Sequence, residues 1–338
     1  MDLPYTQNIY DDYKDIVRRY VLGQEQEALH QCLGFCERVI KMNSATEELV
    51  QIHMDVVDEI DLKDASEIKK SLEILREVHI KLGVSFKVYR DMAEKIEVHD
   101  KELDVASQLQ DSMLKTTIPK FDGIDLGVLS VPANKVSGDY FNIIDHNDGM
   151  MTFGVADVIG KGIPAALAMS MIKFSMDSNG YSQYPSDSLR KLNRVVEKNI
   201  NQNMFITMFY GMFDNNTKLL YYASAGHEPA LVYRYETDTF EEIDAKGIVL
   251  GVKKFVTYEQ RQVRMAERDM LIVFTDGVSE LRKRDDTIID FNEIKEMIRV
   301  NRDGHPQDIV QFIYEKLISI THPTKRDDLT LFILKNLN

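Results

Sequence analysis

Between Tyr5 and Ile118 the chain has no proline and only three glycines, Gly23, Gly34 and Gly83. So long a stretch without helix breakers, with apolar residues every three or four positions, buries its apolar faces as helices packed on one another. The spacing predicts amphipathic helices over 10–22, 24–42, 45–60 and 64–82, with Asn43, Ser44 and Asp61 providing breaks and caps. Four helices joined by short turns make a small bundle.

The rhythm continues past Gly83. Leu82, Ser85, Tyr89, Met92, Ile96, His99, Leu103, Ala106, Gln110 and Met113 step by alternating threes and fours. That is a heptad seam, with polar residues at Ser85, His99 and Gln110 that would weaken a coiled coil while fixing its register. It reads either as a parallel dimer helix or as a single helix lying across a domain.

At Pro119 the pattern changes. Short β-rich runs are predicted at 124–131, 140–144, 150–156, 207–213, 219–225, 230–235, 256–263, 270–275 and 329–334. Helices are predicted at 163–178, 186–203, 292–300 and 306–320, which makes the class α+β, with antiparallel sheets and helices packed outside them. The expected division is a helical partner-binding domain at 1–82, a helical linker at 83–118 and a catalytic domain at 119–338.

A chain of 338 residues with a net charge of -14 is poorly suited to a broad nucleic-acid interface, which needs clustered Lys and Arg. Protein partners are expected instead. No N-terminal apolar stretch resembles a signal peptide or a membrane span, so a cytoplasmic location is expected. Cys32 and Cys36 stand one helical turn apart near His30 and His53, but the spacing matches no common zinc pattern; two half-buried helix thiols are the expectation.

Four places in the β-rich part put an aspartate at the margin of a predicted strand. They are Ser137-Gly138-Asp139-Tyr140, Ala156-Asp157-Val158-Ile159-Gly160-Lys161-Gly162, Thr275-Asp276-Gly277-Val278 and Arg326-Asp327-Asp328-Leu329-Thr330. Any one of them could be a turn. If they converge, the carboxylates repel one another unless cations neutralise them, and oxygen-only ligation suits Mg²⁺ or Mn²⁺. A metal pair in such a cleft could activate water against a phosphate ester without a protein nucleophile. A binding module that keeps the fold without the chemistry, and a phosphodiesterase using the same carboxylates, remain as rival readings.

In this order, the S-G-D-Y, A-D-V-I-G-K-G-I-P-A-A-L, A-S-A-G-H-E-P, T-D-G-V and D-D-L-T blocks resemble the SpoIIE-type branch of the metal-dependent PP2C (PPM) serine/threonine phosphatases, over about residues 119–338. The resemblance implies a PPM-type antiparallel β-sandwich flanked by helices and two Mn²⁺ or Mg²⁺ ions. It further implies that Asp157 bridges both metals, that the Val158 carbonyl adds a ligand, that Asp139 serves one metal and that Asp276 and Asp327 serve the other. Asp328 is adjacent and competes with Asp327 for that role. Many relatives have glycine at Val158, but a carbonyl ligand needs no particular side chain. The helical front part and the run Asn134-Lys135-Val136-Ser137-Gly138-Asp139 resemble the stress-response members of the same family. That likeness implies a front domain that binds a switch kinase as activator and a catalytic domain that dephosphorylates a phosphoserine on an anti-anti-sigma factor; a homodimer is expected beside it.

Other motifs stay open. Gly160-Lys161-Gly162 lacks the spacing of a phosphate loop, and Gly162 with Pro164 suits a strand-to-helix turn that aims Asp157. His227 is either a general acid or a histidine that holds a turn. Lys135 and Lys161 are possible phosphate contacts. The methionines of 168–176 are expected to fill a core.

Overall fold

The structure, a computed structural model, describes residues 3–23, 25–41, 46–160, 162–178, 184–200, 203–321 and 327–338. The breaks and caps expected at Asn43 and Ser44, and the phosphate contact considered for Lys161, lie outside the described residues. The chain forms two compact units, Met1–Asp100 and Lys101–Asn338.

In the first unit, α1 (Leu3–Val21), α2 (Glu27–Lys41), α3 (Thr46–Ile60) and the start of α4 (Ala65–Leu114) pack as a bundle. Tyr13, Phe35, Val56, Ile74, Val78 and Leu82 fill its centre. Asp64 caps α4 by accepting a 2.9 Å bond from the Glu67 amide, and α4 then runs unbroken through Gly83. It ends at Leu114, short of the 118 expected from the sequence. The β-branched run Thr116, Thr117 and Ile118 before Pro119 disfavours further helix, and Thr116 Oγ1 bonds the Leu114 carbonyl at 3.1 Å.

Cys32 and Cys36 are buried free thiols. Burial raises both their pKa values, that of Cys36 to about 11. His53, buried as well, is bonded to Tyr13 at 2.9 Å, and His30 is exposed. The pair packs in the bundle core, fully buried where half-burial was expected.

The second unit holds two five-stranded antiparallel sheets. One has the order β1 (Ile124–Val131), β10 (Leu329–Asn336), β9 (Met270–Phe274), β6 (Ala230–Arg234) and β7 (Thr239–Ile243). The other has β2 (Asp139–Asp145), β3 (Met150–Ile159), β4 (Phe205–Asp214), β5 (Leu219–Ala225) and β8 (Arg261–Arg264). Phe153, Phe209, Phe332, Val155 and Val273 fill the space between the sheets. α5 (Ile163–Ser178) and α6 (Pro185–Asn199) cover the outside of the second sheet through Met169, Ile172 and Leu192. α8 (Phe291–Val300) and α9 (Pro306–Ile320) cover the first through Ile298, Ile309 and Ile313. Covered on both faces, β10 is buried at every position, which is why it reads as a continuous apolar run instead of an alternating one.

Among the strands, two depart most from expectation. β8 keeps only the end of the strand predicted at 256–263, because Tyr258 packs into the core under α6 and the Glu259 amide bonds the Lys246 carbonyl instead of a strand. β7, Thr-Phe-Glu-Glu-Ile, was not predicted; it is an edge strand whose glutamates face solvent.

Candidate active site

Antiparallel register places Asp139 directly opposite Asp157, and Asp157 opposite Thr207, so three polar side chains share one face at one end of the second sheet. The first sheet brings its own acids to the same end. Asp276 opens the short helix α7 (Asp276–Ser279) after β9, and Asp327 and Asp328 lead into β10. Thr275 Oγ1 donates to Asp139 Oδ2 at 2.7 Å and accepts the Thr330 amide at 3.0 Å, joining the two sheets.

Gly138 sits at the meeting point. A Cβ there would lie 3.2 Å from the Val158 carbonyl oxygen, which would have to give by a few tenths of an ångström, and at an ordinary contact distance of 3.6 Å from both Asp157 Oδ1 and Asp328 Oδ2. Gly277 is constrained far more severely, since its Cβ would fall 1.8 Å from the Asp328 carbonyl oxygen.

The crowding shows in the protonation equilibria. Asp157 is pushed up to about 7, first by burial and then by the charges of Asp276, Asp327 and Asp328. Asp139 is driven well above the usual carboxylate range by burial, opposed by its bond from Thr275. Burial and then Asp327 also raise Asp276. Among the described residues, Asp139 Oδ1 is buried and has no hydrogen-bond partner. Among the described residues no three acidic, imidazole or thiol groups close on one point as a ready-made metal shell. The donor set still fits hard divalent cations: it is all oxygen, one buried oxygen is orphaned, and the carboxylates hold protons that a cation would replace.

Asp327 and Asp328, inseparable by motif, have different surroundings. Asp328 uses both oxygens on the backbone, taking the Ala133 amide at 2.7 Å and the Gly138 amide at 2.5 Å. Asp327 is exposed and lines a cavity of about 410 Å³ together with Asp276, Arg282 and Tyr314. Sequence reasoning missed the clasping role of Asp328 and the contribution of Thr275. The T-D-G block put Thr275 beside the site, but the partner of its hydroxyl lies on the other sheet.

The remaining candidates resolve toward structure. His227 is buried, bonded through Nδ1 to Thr207 Oγ1 at 2.9 Å, and burial lowers its pKa to about 4; it stays neutral and holds the turn between β5 and β6. Lys135 is paired with Asp104 at 2.6 Å, which leaves it poorly placed as a phosphate contact. Gly162, at φ +73°, turns the chain into α5 and its carbonyl accepts the Ala165 and Ala166 amides. Met169 and Met176 are core, as expected.

Residues 147–336, a span that begins after Asp139, match the family described as Stage II sporulation protein E (SpoIIE). Residues 11–85 match the N-terminal domain of phosphoserine phosphatase RsbU. The chain is 34% identical over 334 residues to phosphoserine phosphatase RsbU of Bacillus subtilis, covering 98% of this chain and 99% of that one. In fold it is similar to the SiaA PP2C domain of Pseudomonas aeruginosa, with a TM-score of 0.61 at 19% identity, over 72% of this chain and 98% of that one. It is similar too to the PP2C domain of SpoIIE from Bacillus subtilis, with a TM-score of 0.54 at 16% identity, over 63% of this chain and 62% of that one. The acidic end of the two sheets therefore lies in a fold shared with PP2C phosphatases, and by its likeness along nearly its whole length the chain belongs to the RsbU family of SpoIIE-type serine phosphatases.

Proposed function

We propose that the chain is a Mn²⁺- or Mg²⁺-dependent phosphatase acting on phosphoserine of an RsbV-like anti-anti-sigma protein, releasing a stress-response sigma factor of the sigma-B kind. The observation that carries the hydrolytic part is the meeting of carboxylates from both sheets around Gly138, with a buried Asp139 oxygen that has no partner among the described residues. Asp139, Asp157, the Val158 carbonyl, Asp276 and Asp327 would hold two cations. Bound there, the ions supply Lewis-acid activation of water and neutralise charge on the phosphoryl group.

The chain's own residues do the rest. Thr275 orients Asp139, Asp328 holds the loop that carries Gly138, and the cavity beside Asp276 and Asp327 admits a phosphoserine side chain. A pseudophosphatase reading is disfavoured because none of the acidic positions is replaced by an inert residue. The net charge of -14 disfavours a nucleic-acid phosphodiesterase.

Control is the second half of the proposal. An RsbT-like switch kinase binds the N-terminal helical domain, 1–82, and raises activity in a cytoplasmic homodimer. The match of residues 11–85 to the RsbU N-terminal domain supports this reading. So do Tyr89, Met92 and Ile96 of α4, apolar residues of the predicted seam that are 65%, 59% and 69% exposed and would be covered in a dimer. Among the described residues, no helix is long and apolar enough to cross a membrane.

The test is Mn²⁺ titration of the full chain with a phosphoserine RsbV-like substrate, with and without the kinase. Asp157→Asn is expected to lose metal binding and at least about 100-fold in turnover. Retention of both would overturn the site assignment. Full turnover by metal-loaded chain alone, unchanged by the kinase, would sink the gating.

A further inference from the structure

Gln110 is alone among residues 101–114 in being buried, at 6% exposure, on a stretch of α4 that otherwise faces solvent or is half-buried. Its amide makes two bonds to the main chain of one residue. Nε2 donates to the Ser137 carbonyl at 2.7 Å, and Oε1 accepts the Ser137 amide at 3.0 Å. A carboxamide side chain donates and accepts in this way with a fixed orientation, without depending on protonation.

Ser137 begins the segment that delivers Asp139. The Ser137 hydroxyl accepts the Asp139 amide at 3.0 Å. Gly138 is held from two other directions, its amide by Asp328 at 2.5 Å and its carbonyl by the Val158 amide at 3.1 Å. Residues 137–139 are thus fixed by three separate elements: the β3 strand of Asp157, the acidic lead-in to β10, and the last turns of α4. Lys135 and Asp104 add a 2.6 Å ion pair between the same loop and the same helix. Of the groups that bond residues 137–139 directly, Asp328 and Val158 belong to the acidic cluster itself, whereas Gln110 reaches it only through Ser137.

We infer that Gln110 is a positioning residue for the acidic centre: by clasping Ser137 it sets where Asp139 stands relative to Asp157 and Asp276, and so sets the affinity for divalent cations. The inference deepens the metal-dependent reading above and rests on it.

The same two-bond clasp occurs elsewhere in this unit and provides an internal control. Gln307 of α9 accepts the Val128 amide at 3.0 Å and donates to the Val128 carbonyl at 3.1 Å, on a strand position that carries none of the acids. Removing it should cost stability and leave cation binding alone.

The experiment compares Gln110→Met, Gln110→Glu and Gln307→Met in the full chain, with Mn²⁺ affinity from calorimetry and thermal unfolding of the metal-free protein. Gln110→Glu keeps the acceptor for the Ser137 amide and loses the donor, so it serves where Gln110→Met fails to fold. For the Gln110 variants Mn²⁺ affinity is expected to fall about 10- to 100-fold, the range typical of residues that orient metal ligands. Their kcat at saturating Mn²⁺ should return to within about threefold of the parent, and Gln307→Met should keep parental Mn²⁺ affinity. Unchanged Mn²⁺ affinity in both Gln110 variants overturns the inference, as does an equal loss in Gln307→Met. A parent chain that binds no Mn²⁺ instead defeats the metal-dependent reading itself, which keeps the two failures apart.

Discussion

Thr275 Oγ1 donates to Asp139 Oδ2 across a 2.7 Å gap, joining an acid on β2 of one sheet to the residue that follows β9 of the other. Because that hydroxyl also accepts the Thr330 amide, it locks the ends of β9 and β10 to an acid on β2. Thr275→Val keeps the shape but orphans the Thr330 amide and frees one Asp139 oxygen. The expected outcome is about 1–3 kcal/mol of lost stability, the penalty of a buried unsatisfied group, together with at least tenfold weaker Mn²⁺ binding, roughly. Thr275→Ser should restore most of both. Denaturant unfolding beside metal titration of the two variants checks this, and parental Mn²⁺ affinity in Thr275→Val would refute it.

The raised pKa of Asp157, about 7 against an ordinary 3.8, fixes how the metal-free protein responds to pH. The folded state holds a proton there that the unfolded chain has released. Stability from this group is therefore fully present below about pH 4 and is lost as pH rises through about 7. Asp139 and Asp276, also raised, act in the same direction. Metal-free protein should melt at progressively lower temperature from pH 5 to pH 8. Asp157→Asn should flatten that fall, and Mn²⁺ should oppose it in the parent, tightening as pH rises because it displaces protons. Calorimetric scans across this range decide the matter; a melting temperature that climbs over it in metal-free parent would contradict the argument.

Asp327 and Asp328 should separate cleanly when each is changed to asparagine. Asp328→Asn replaces one acceptor oxygen with a donor that faces a backbone amide, at Ala133 or Gly138. We expect it to lose about 1–3 kcal/mol of stability and to disturb the site indirectly. Asp327→Asn, exposed and without such duties toward Gly138, should keep stability within about 0.5 kcal/mol and lose Mn²⁺ affinity. The reverse pattern in urea melts and metal titrations would exchange the two roles.

How much of this was legible from the residues depends on whether a pattern is local. The strands that carry Asp139 and Asp157 announce themselves as β-branched and aromatic runs, and their acids sit in motifs readable one at a time. Register is not readable: nothing near Asp139 in sequence names Asp157 as its partner, or Thr275 as its donor. The heptad seam shows the opposite failure. A period of threes and fours says which residues share a helix face but not what covers it. Leu82 is spent in the bundle core and Gln110 on Ser137, leaving Tyr89, Met92 and Ile96 uncovered between them. β7 was missed because an edge strand with outward glutamates carries little apolar signal.

Arg282 stands on the wall of the cavity that also exposes Asp276 and Asp327, among the apolar side chains of Leu281, Tyr314 and Ile318. Its guanidinium donates to the Asp286 carbonyl at 3.2 Å and pairs with no carboxylate among the described residues. A planar donor left exposed beside the proposed phosphate-ester site is suited to an anionic oxygen of the substrate, through paired bonds that lysine cannot reproduce. Arg282→Ala is therefore expected to raise KM for a phosphoserine protein about tenfold, with Mn²⁺ affinity and thermal stability unchanged, and Arg282→Lys should recover only part of the loss. A small aryl phosphate locates the contact. If its kcat/KM falls in parallel, the guanidinium meets the phosphate; if it is spared, the contact is to residues flanking the phosphoserine. Parental KM on both substrates would remove Arg282 from substrate recognition and leave the cavity wall to its apolar side chains.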